Sequence, residues 1–273
     1  MDPWLETLCV VLVALTGVYL GGRAGRLPNP VWSCVLFVPV LMLGLLILLS
    51  CTSLFDAAAP LRFITAGRTR YVILCFAISF GLSVPLSRLP SRIERCLVWG
   101  LMVVFVALFS VVPFLVPALI RSDLSRIQTR IDADGICYQS KRYTCGPAAA
   151  VTALTKYGFS AHEGELAMLA RTNPVSGTLL WTLYSAIKDR YSHQGLHCQF
   201  RRFNSVAQLR DVGITLVSIR EAALLDHCVA VLSVSDTAVT IADPIAGLEV
   251  LPVAHFNEIW RRSGIVINNQ ETN

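Results

Sequence analysis

Charged residues are scarce in this 273-residue chain. They make up 15% of the sequence, whereas hydrophobic residues make up 54%, well above the share found in ordinary soluble domains. The net charge is only +5, and no basic stripe with interleaved aromatic residues is present. These absences argue against nucleic acid as a partner, because nucleic-acid binding needs a concentrated positive surface.

Motifs for several other functions are also missing. No CxxC pair and no cluster of histidine and cysteine has metal-ligand spacing, so we predict no metal site and no thiol redox exchange. No Gly-rich phosphate loop of the Walker type occurs, so we do not expect ATP-driven export by this chain alone, and we expect no cofactor. The cysteines after residue 120 leave the redox compartment open, because they could stay reduced or form one or two disulfides. They are Cys137, Cys145, Cys198 and Cys228.

The apolar excess lies in the first 120 residues. A helix needs about 20 apolar residues to cross a bilayer, and four stretches approach or exceed this length. They are residues 4–20, 31–54, 71–86 and 96–120. We predict a membrane region over residues 1–120, a charged linker over 121–134 and one soluble domain over 135–273. Gly21 and Gly22 follow the first stretch, and we interpret them as a helix end, since glycine stops helices.

The orientation of these spans depends on the arginines beside them. Met1, Asp2 and Glu6 provide no positive segment for secretory cleavage, so we expect the first helix to be retained. With the N-terminus inside, six arginines flank the inner side and five the outer side, so the count decides little. An even number of spans places both termini on one side. The basic flank after the fourth span favours the cytoplasm for the C-terminal domain.

Four side chains of the C-terminal half stand in an order that suits a thiol nucleophile. A cysteine attacks a carbonyl only as a thiolate, so it needs a histidine to take its proton and a third group to orient the histidine ring. Cys145, His227 and Asp243 can fill these three roles. The oxyanion that develops on the substrate needs a hydrogen-bond donor, which the amide of Gln139 can supply.

The surrounding sequence predicts how these residues come together. Pro147 suits a first helical turn and an alanine-rich run follows it, so we expect Cys145 at a helix N-terminus, where an anion is favoured. Residues 228–234 and 238–242 have the pattern of two buried strands joined by a turn. In such a hairpin, His227 at the start of one strand lies beside Asp243 at the end of the other.

The C-terminal half resembles cysteine peptidase family 39 over about residues 132–267. The resemblance is carried by the run from Gln139 to Ala150, by Asp226-His227-Cys228-Val229, by Ile241-Ala242-Asp243-Pro244 with Gly247 after it, and by Phe256-Asn257-Glu258-Ile259-Trp260. It implies that Cys145 is the nucleophile and His227 the base. It also implies that Asp243 orients the ring and that Gln139 is the oxyanion-hole donor.

The same resemblance implies a fold and a substrate class. Members of the family are papain-like enzymes that remove leader peptides after a double glycine. We therefore expect an α+β domain, with helices after Cys145, near residues 164–171 and over 178–190, then an antiparallel sheet over about 199–267. The implied partners are a peptide or precursor-protein substrate, membrane lipid and a separate exporter. The implied location is a bacterial inner membrane.

Alternatives to these assignments remain open at the level of sequence. The papain-like domain could instead be a peptide-binding or sensory module that holds a ligand without cutting it. Asp226 could compete with Asp243 for the ring of His227, although adjacent strand residues point to opposite faces. The remaining histidines lack a catalytic context, and we expect them to be surface or packing residues. They are His162, His193, His197 and His255.

Overall fold

The structure, a computed structural model, describes residues 3–51, 69–222 and 225–269. Contacts divide the chain into two units, Met1–Leu119 and Ile120–Asn273. The described part of the first unit is helical. Its elements are α1 (Pro3–Ala24), α2 (Asn29–Cys51), α3 (Thr69–Leu86), α4 (Arg92–Ser110), a π-helical turn (Val111–Leu115) and α5 (Val116–Leu119).

Four helical segments in the described part are long and apolar enough to cross a membrane. They are Trp4–Ala24, Asn29–Ile47, Thr69–Leu86 and Arg92–Leu119. The prediction of about four such helices is therefore confirmed. The first helix extends past its predicted end at residue 20. Residues 52–54 of the second predicted span lie outside the described residues.

Gly21 in α1 and Gly25 directly after it allow close approach to α3. A Cβ at Gly21 would lie 2.6 Å from the carbonyl oxygen of Phe80, and one at Gly25 would lie 2.5 Å from that of Val84. Small residues allow such close backbone approach between helices in an apolar environment. The interpretation of Gly21 and Gly22 as a helix end is wrong, because the helix continues to Ala24 and Gly21 serves packing instead.

The second unit places helices before a sheet, as predicted. Its first elements are α6 (Arg121–Ser125), β1 (Arg130–Ile131), β2 (Cys137–Tyr138), α7 (Cys145–Lys156), α8 (Glu163–Leu169) and α9 (Leu180–Tyr191). A 3₁₀ turn (Ser192–Gln194) then leads to β3 (Leu196–Arg202), a second 3₁₀ turn (Val206–Leu209), β4 (Ile214–Ala222), β5 (Leu225–Val234), β6 (Ala238–Asp243), β7 (Gly247–Pro252), α10 (Val253–Ile259) and β8 (Trp260–Asn269). The α+β prediction is confirmed.

The six long strands form one antiparallel sheet in the order β3-β8-β4-β5-β6-β7. Hairpins connect β4 to β5, β5 to β6 and β6 to β7, which is the favoured connection for antiparallel neighbours. The last strand, β8, instead inserts between β3 and β4. Sequence patterns did not predict the short pair β1 and β2, nor the helix α10 within the sheet region.

The central part of the sheet is buried on both faces, which explains the nearly continuous apolar runs in β4 and β5. Neighbouring residues on a strand point to opposite faces, and Leu216 and Val217 accordingly belong to different hydrophobic clusters. One cluster joins the sheet to α7 and α9 and includes Leu154, Leu183, Ile187, Leu216 and Ile265. The other joins it to α10 and includes Phe203, Val217, Val229, Phe256 and Trp260.

Candidate active site

Cys145 is the first residue of α7 and is partly exposed. Two hydrogen bonds of the Thr144 hydroxyl stabilise the turn before it. The hydroxyl donates to the Lys141 carbonyl at 2.9 Å and accepts from the Lys141 N–H at 3.1 Å. The helix then begins with a bond from the Ala148 N–H to the Thr144 carbonyl. The thiol therefore stands at the N-terminus of a 12-residue helix, where the helix dipole favours a thiolate.

His227 and Asp243 lie on neighbouring strands and are hydrogen-bonded to each other. The Nε2 atom of His227, near the start of β5, is 2.9 Å from Oδ1 of Asp243 at the end of β6. Both residues are buried, with 6% and 8% of their surfaces exposed. The same Oδ1 accepts from the N–H groups of Ile245 at 2.6 Å and Ala246 at 3.3 Å. These backbone bonds fix the carboxylate independently of the ring.

The electrostatics of this pair include Cys145. Burial by itself lowers the pKa of His227, but hydrogen bonds and charges from Asp243 and Cys145 outweigh it and raise that pKa to about 10. Burial raises the pKa of Asp243, yet the hydrogen bond from His227, followed by that from the Ile245 N–H, holds it below its ordinary value. This balance favours an imidazolium at His227 paired with a carboxylate at Asp243.

Gln139 is tied to the same region through its backbone. Its N–H donates to the carbonyl of Pro244, the residue after Asp243, at 2.9 Å. Its side-chain oxygen is buried and accepts no hydrogen bond from any residue in the described part of the chain. Of the four residues predicted from sequence, three thus interact through their side chains, and Gln139 joins them through the main chain.

Asp226 does not compete for the ring of His227. Its carboxylate is exposed and takes a forked ion pair from Arg261, with N–O distances of 2.6 and 2.9 Å. The other four histidines are all exposed, as expected of surface residues; they are His162, His193, His197 and His255.

The other thiols of this unit are held protonated. Burial raises the pKa of Cys137 to about 12 and that of Cys198 to about 11. Burial also raises the pKa of Cys228 well above its ordinary value, and the charges of Cys145 and Asp243 add to the effect. All four cysteines are free, so no disulfide links them. Cys145 is the one among them that interacts with a histidine.

Sequence reasoning missed one ionisable residue beside this group. Glu163 is fully buried at the start of α8, and its carboxylate binds the N–H and hydroxyl of Ser140 at 2.8 and 2.7 Å. Glutamate is common in the first turn of a helix, so no sequence signal distinguished Glu163 from an exposed surface residue. Among the described residues, no cluster of histidine, cysteine, aspartate and glutamate could hold a metal ion.

Comparison with known proteins places the C-terminal half in a family context. The sequence profile of the Peptidase C39 family matches residues 134–272. An uncharacterized protein of Methanothermobacter marburgensis is 32% identical over 136 residues, which cover 50% of this chain and 89% of that protein. An uncharacterized protein of Methanothermobacter thermautotrophicus is 27% identical over 141 residues, covering 52% of this chain and 93% of the relative.

Solved structures provide two further similarities. One is the peptidase domain of Streptococcus ComA, a bifunctional ABC transporter involved in quorum sensing, with a TM-score of 0.43 and 21% identity over 49% of this chain and 96% of that domain. The other is a double-glycine-motif protease from an AMS/PCAT transporter in complex with its leader peptide. Its TM-score is 0.42, with 14% identity over 52% of this chain and 93% of that protein.

Proposed function

The chain belongs to the Peptidase C39 family, and on that premise we propose that it is a cysteine peptidase anchored in a membrane by its N-terminal helices. The observation that carries the proposal is the position of the His227 ring, which is bonded to the Asp243 carboxylate and interacts with the Cys145 thiol. Residues 1–120 would form the membrane region, 121–134 the linker and 135–273 the peptidase domain.

The arrangement gives each side chain a distinct task in peptide hydrolysis. Because Nε2 of His227 is taken by Asp243, Nδ1 is the ring nitrogen left to exchange a proton with Cys145. Asp243 holds the ring in that orientation and stabilises its positive charge. The resulting thiolate adds to the scissile carbonyl carbon, a sulfur–carbon bond forms, and the carbonyl electron pair moves to the oxygen.

The oxyanion that results needs donors in place before the reaction. The side-chain amide of Gln139 and the backbone N–H at the start of α7 are the groups we assign to it. The carbon–nitrogen bond then breaks, and the leaving amine takes the proton from His227, which leaves a thioester on Cys145. Water attacks the thioester while His227 accepts its proton, and the thiolate is released.

For the substrate, we infer a peptide or precursor protein cut after a double glycine, as the family resemblance implies. We propose a separate exporter as the carrier of the product. We place the peptidase domain on the cytoplasmic side of a bacterial inner membrane, where such precursors are made. Cleavage of a peptide after Gly-Gly, with no cleavage of its Ala-Ala counterpart, would support this substrate class.

The test that needs no substrate is the rate of alkylation of Cys145 as a function of pH, located by peptide mass mapping. In the wild-type chain we expect selective labelling that persists about two units below an ordinary thiol pKa of ~8.5. His227→Ala should abolish that selectivity. The matched comparison is Cys145 in the wild type and in His227→Ala, and Cys198 is an internal reference thiol in the same chain, partly exposed but with its pKa raised to about 11 by burial.

The opposite outcome would contradict the catalytic proposal. If Cys145 is alkylated no faster than Cys198, and the rate does not depend on His227, then His227 does not activate the Cys145 thiol. The domain would then act as a peptide-binding or sensory module. Cys145→Ala would distinguish the two functions in a second way, since it abolishes turnover by a peptidase but preserves ligand capture by a binding module.

A further inference from the structure

Glu163 is a fully buried carboxylate outside the group formed by Cys145, His227 and Asp243. A buried carboxylate is costly unless hydrogen bonds compensate it. Both of its oxygens are committed to one residue, because Oε1 accepts the Ser140 N–H at 2.8 Å and Oε2 accepts the Ser140 hydroxyl at 2.7 Å. The carboxylate therefore immobilises a single position in the segment that leads to the nucleophile.

Ser140 directly follows Gln139, so two successive backbone N–H groups are anchored on two different elements. The N–H of Gln139 donates to Pro244 in the β6–β7 turn, and the N–H of Ser140 donates to Glu163 in α8. The side-chain oxygen of Gln139 accepts no hydrogen bond from the residues that the structure describes. The two backbone anchors therefore hold the main chain from which this amide extends.

The main chain of Glu163 is held without help from its carboxylate. Its N–H donates to the hydroxyl of Thr129 at 3.0 Å. The next residue, Gly164, lies so close to the carbonyl oxygen of Leu124 that a Cβ there would clash with it. The start of α8 is thus a fixed support, from which the carboxylate reaches Ser140.

We propose that Glu163 is a positioning residue that holds the Gln139 amide in the oxyanion hole through Ser140. The proposal rests on the peptidase function proposed above. Glu163 touches neither the thiol nor the ring in the described contacts, so its loss should spare the formation of the thiolate. It should instead weaken species that carry a negative oxygen on the carbon bonded to Cys145.

Two probes separate these effects in the full chain in detergent. Iodoacetamide alkylates a thiolate by displacing iodide and forms no oxyanion. A peptide aldehyde ending in Gly-glycinal adds the thiolate to its carbonyl carbon, and the electron pair moves to an oxygen that lies in the oxyanion hole, while His227 keeps its proton. The ratio of the two responses therefore separates effects on the adduct from effects on the thiolate, and the Gln139→Ala background below assigns the difference to the oxyanion hole.

In Glu163→Ala we expect the aldehyde to bind about 30- to 100-fold more weakly, close to the loss of an oxyanion-hole donor. The alkylation rate of Cys145 should stay within about twofold, since no group in contact with the thiol changes. Glu163→Ala should cause no further loss in a Gln139→Ala background, because both variants disable the same donor.

Glu163→Gln is the matched conservative variant. Its amide oxygen can accept the Ser140 N–H, and its amide N–H can donate to the Ser140 hydroxyl, which then donates to the Gln128 carbonyl 3.2 Å away. We expect aldehyde binding within about fivefold of wild type, the effect of about one altered hydrogen bond. Ser140→Ala removes one contact without opening a cavity and should weaken binding by a similar factor.

Three results would overturn the positioning role. The first is an unchanged aldehyde affinity in Glu163→Ala, and the second is a parallel fall in alkylation rate and aldehyde affinity in both Glu163→Ala and Ser140→Ala. The third is a further loss of aldehyde affinity when Glu163→Ala is added to Gln139→Ala. Failure of the peptidase function is distinguishable from these. It would be seen in the wild-type chain itself, as the lack of selective Cys145 alkylation and of aldehyde binding, and it would remove the basis of the positioning role as well.

Discussion

Replacing Asp243 by asparagine separates the two contributions that this residue makes to the ring of His227. The Oδ1 atom of Asp243 accepts three N–H groups, from His227, Ile245 and Ala246. An amide oxygen accepts the same three bonds, so Asp243→Asn should keep the ring in place. The negative charge is lost, and with it one of the interactions with Asp243 and Cys145 that raise the pKa of His227.

The size of the effect follows from the distance between the two groups. An opposite charge within about 4–6 Å shifts a pKa by roughly 1–3 units, and the two atoms are 2.9 Å apart. The pKa of His227, about 10 in the wild type, should therefore fall by about 1–3 units, equivalent to ~1.4–4 kcal/mol.

This shift also has a defined sign for stability. The folded-state pKa of His227 lies above the unfolded value of ~6.5, so its contribution to stability is complete below pH ~6.5 and is lost as pH rises toward about 10. In Asp243→Asn the same loss should occur at lower pH. The alkaline limb of peptide turnover should move in parallel, because the imidazolium must donate a proton to the leaving amine.

The assay is a pH titration of ¹³Cε1-labelled histidine by NMR on the full chain in detergent, with the His227 signal assigned from its absence in His227→Gln. Asp226→Asn is the matched control, since this carboxylate is adjacent in sequence but exposed and paired with Arg261. A shift below half a unit in Asp243→Asn, or an equal shift in Asp226→Asn, would refute the argument that the Asp243 charge sets this pKa.

Two further predictions concern packing. Gly21→Leu should destabilise the contact between α1 and α3 by about 1–3 kcal/mol, because a Cβ at this position meets a backbone carbonyl. Thermal unfolding in detergent would measure this loss. Gly22→Leu is the control and should have little effect, since Gly22 has open space around it. Phe256→Ala should lower the free energy of unfolding of the second unit by about 3–5 kcal/mol, because this ring of α10 is fully buried. Pulse proteolysis in urea would measure the loss. An equal loss in Val250→Ala, at a residue that is 64% exposed, would contradict the argument that burial of the Phe256 ring stabilises the unit.

The order of helices and sheet could be predicted because local patterns determine most of it. The alanine-rich run after Pro147 forms α7, and the apolar runs around His227 and Asp243 form the expected hairpin. The pairing of β8 with β3 and β4 is non-local, and no pattern within β8 itself specifies those partners.

The residues of the candidate site differ in the same way: those beside local sequence patterns could be predicted, and those that depend on non-local contacts could not. Cys145, His227 and Asp243 could be selected because chemistry requires those residue types and each stands beside a recognisable element. Glu163 could not be selected, because its role depends on a hydrogen bond to Ser140 in a distant loop. The glycines of α1 were misinterpreted for a related reason: whether a glycine ends a helix or allows close packing depends on the helix beside it.

The separation of Cys145 from His227 and Asp243 along the chain has a consequence for biosynthesis. Cys145 begins α7, whereas His227 and Asp243 belong to strands that the ribosome makes much later. Until those strands are made, the Cys145 thiol lacks the imidazole of His227 and the carboxylate of Asp243. On the proposed peptidase function, the activated thiolate would therefore be acquired only at the closing stage of domain maturation.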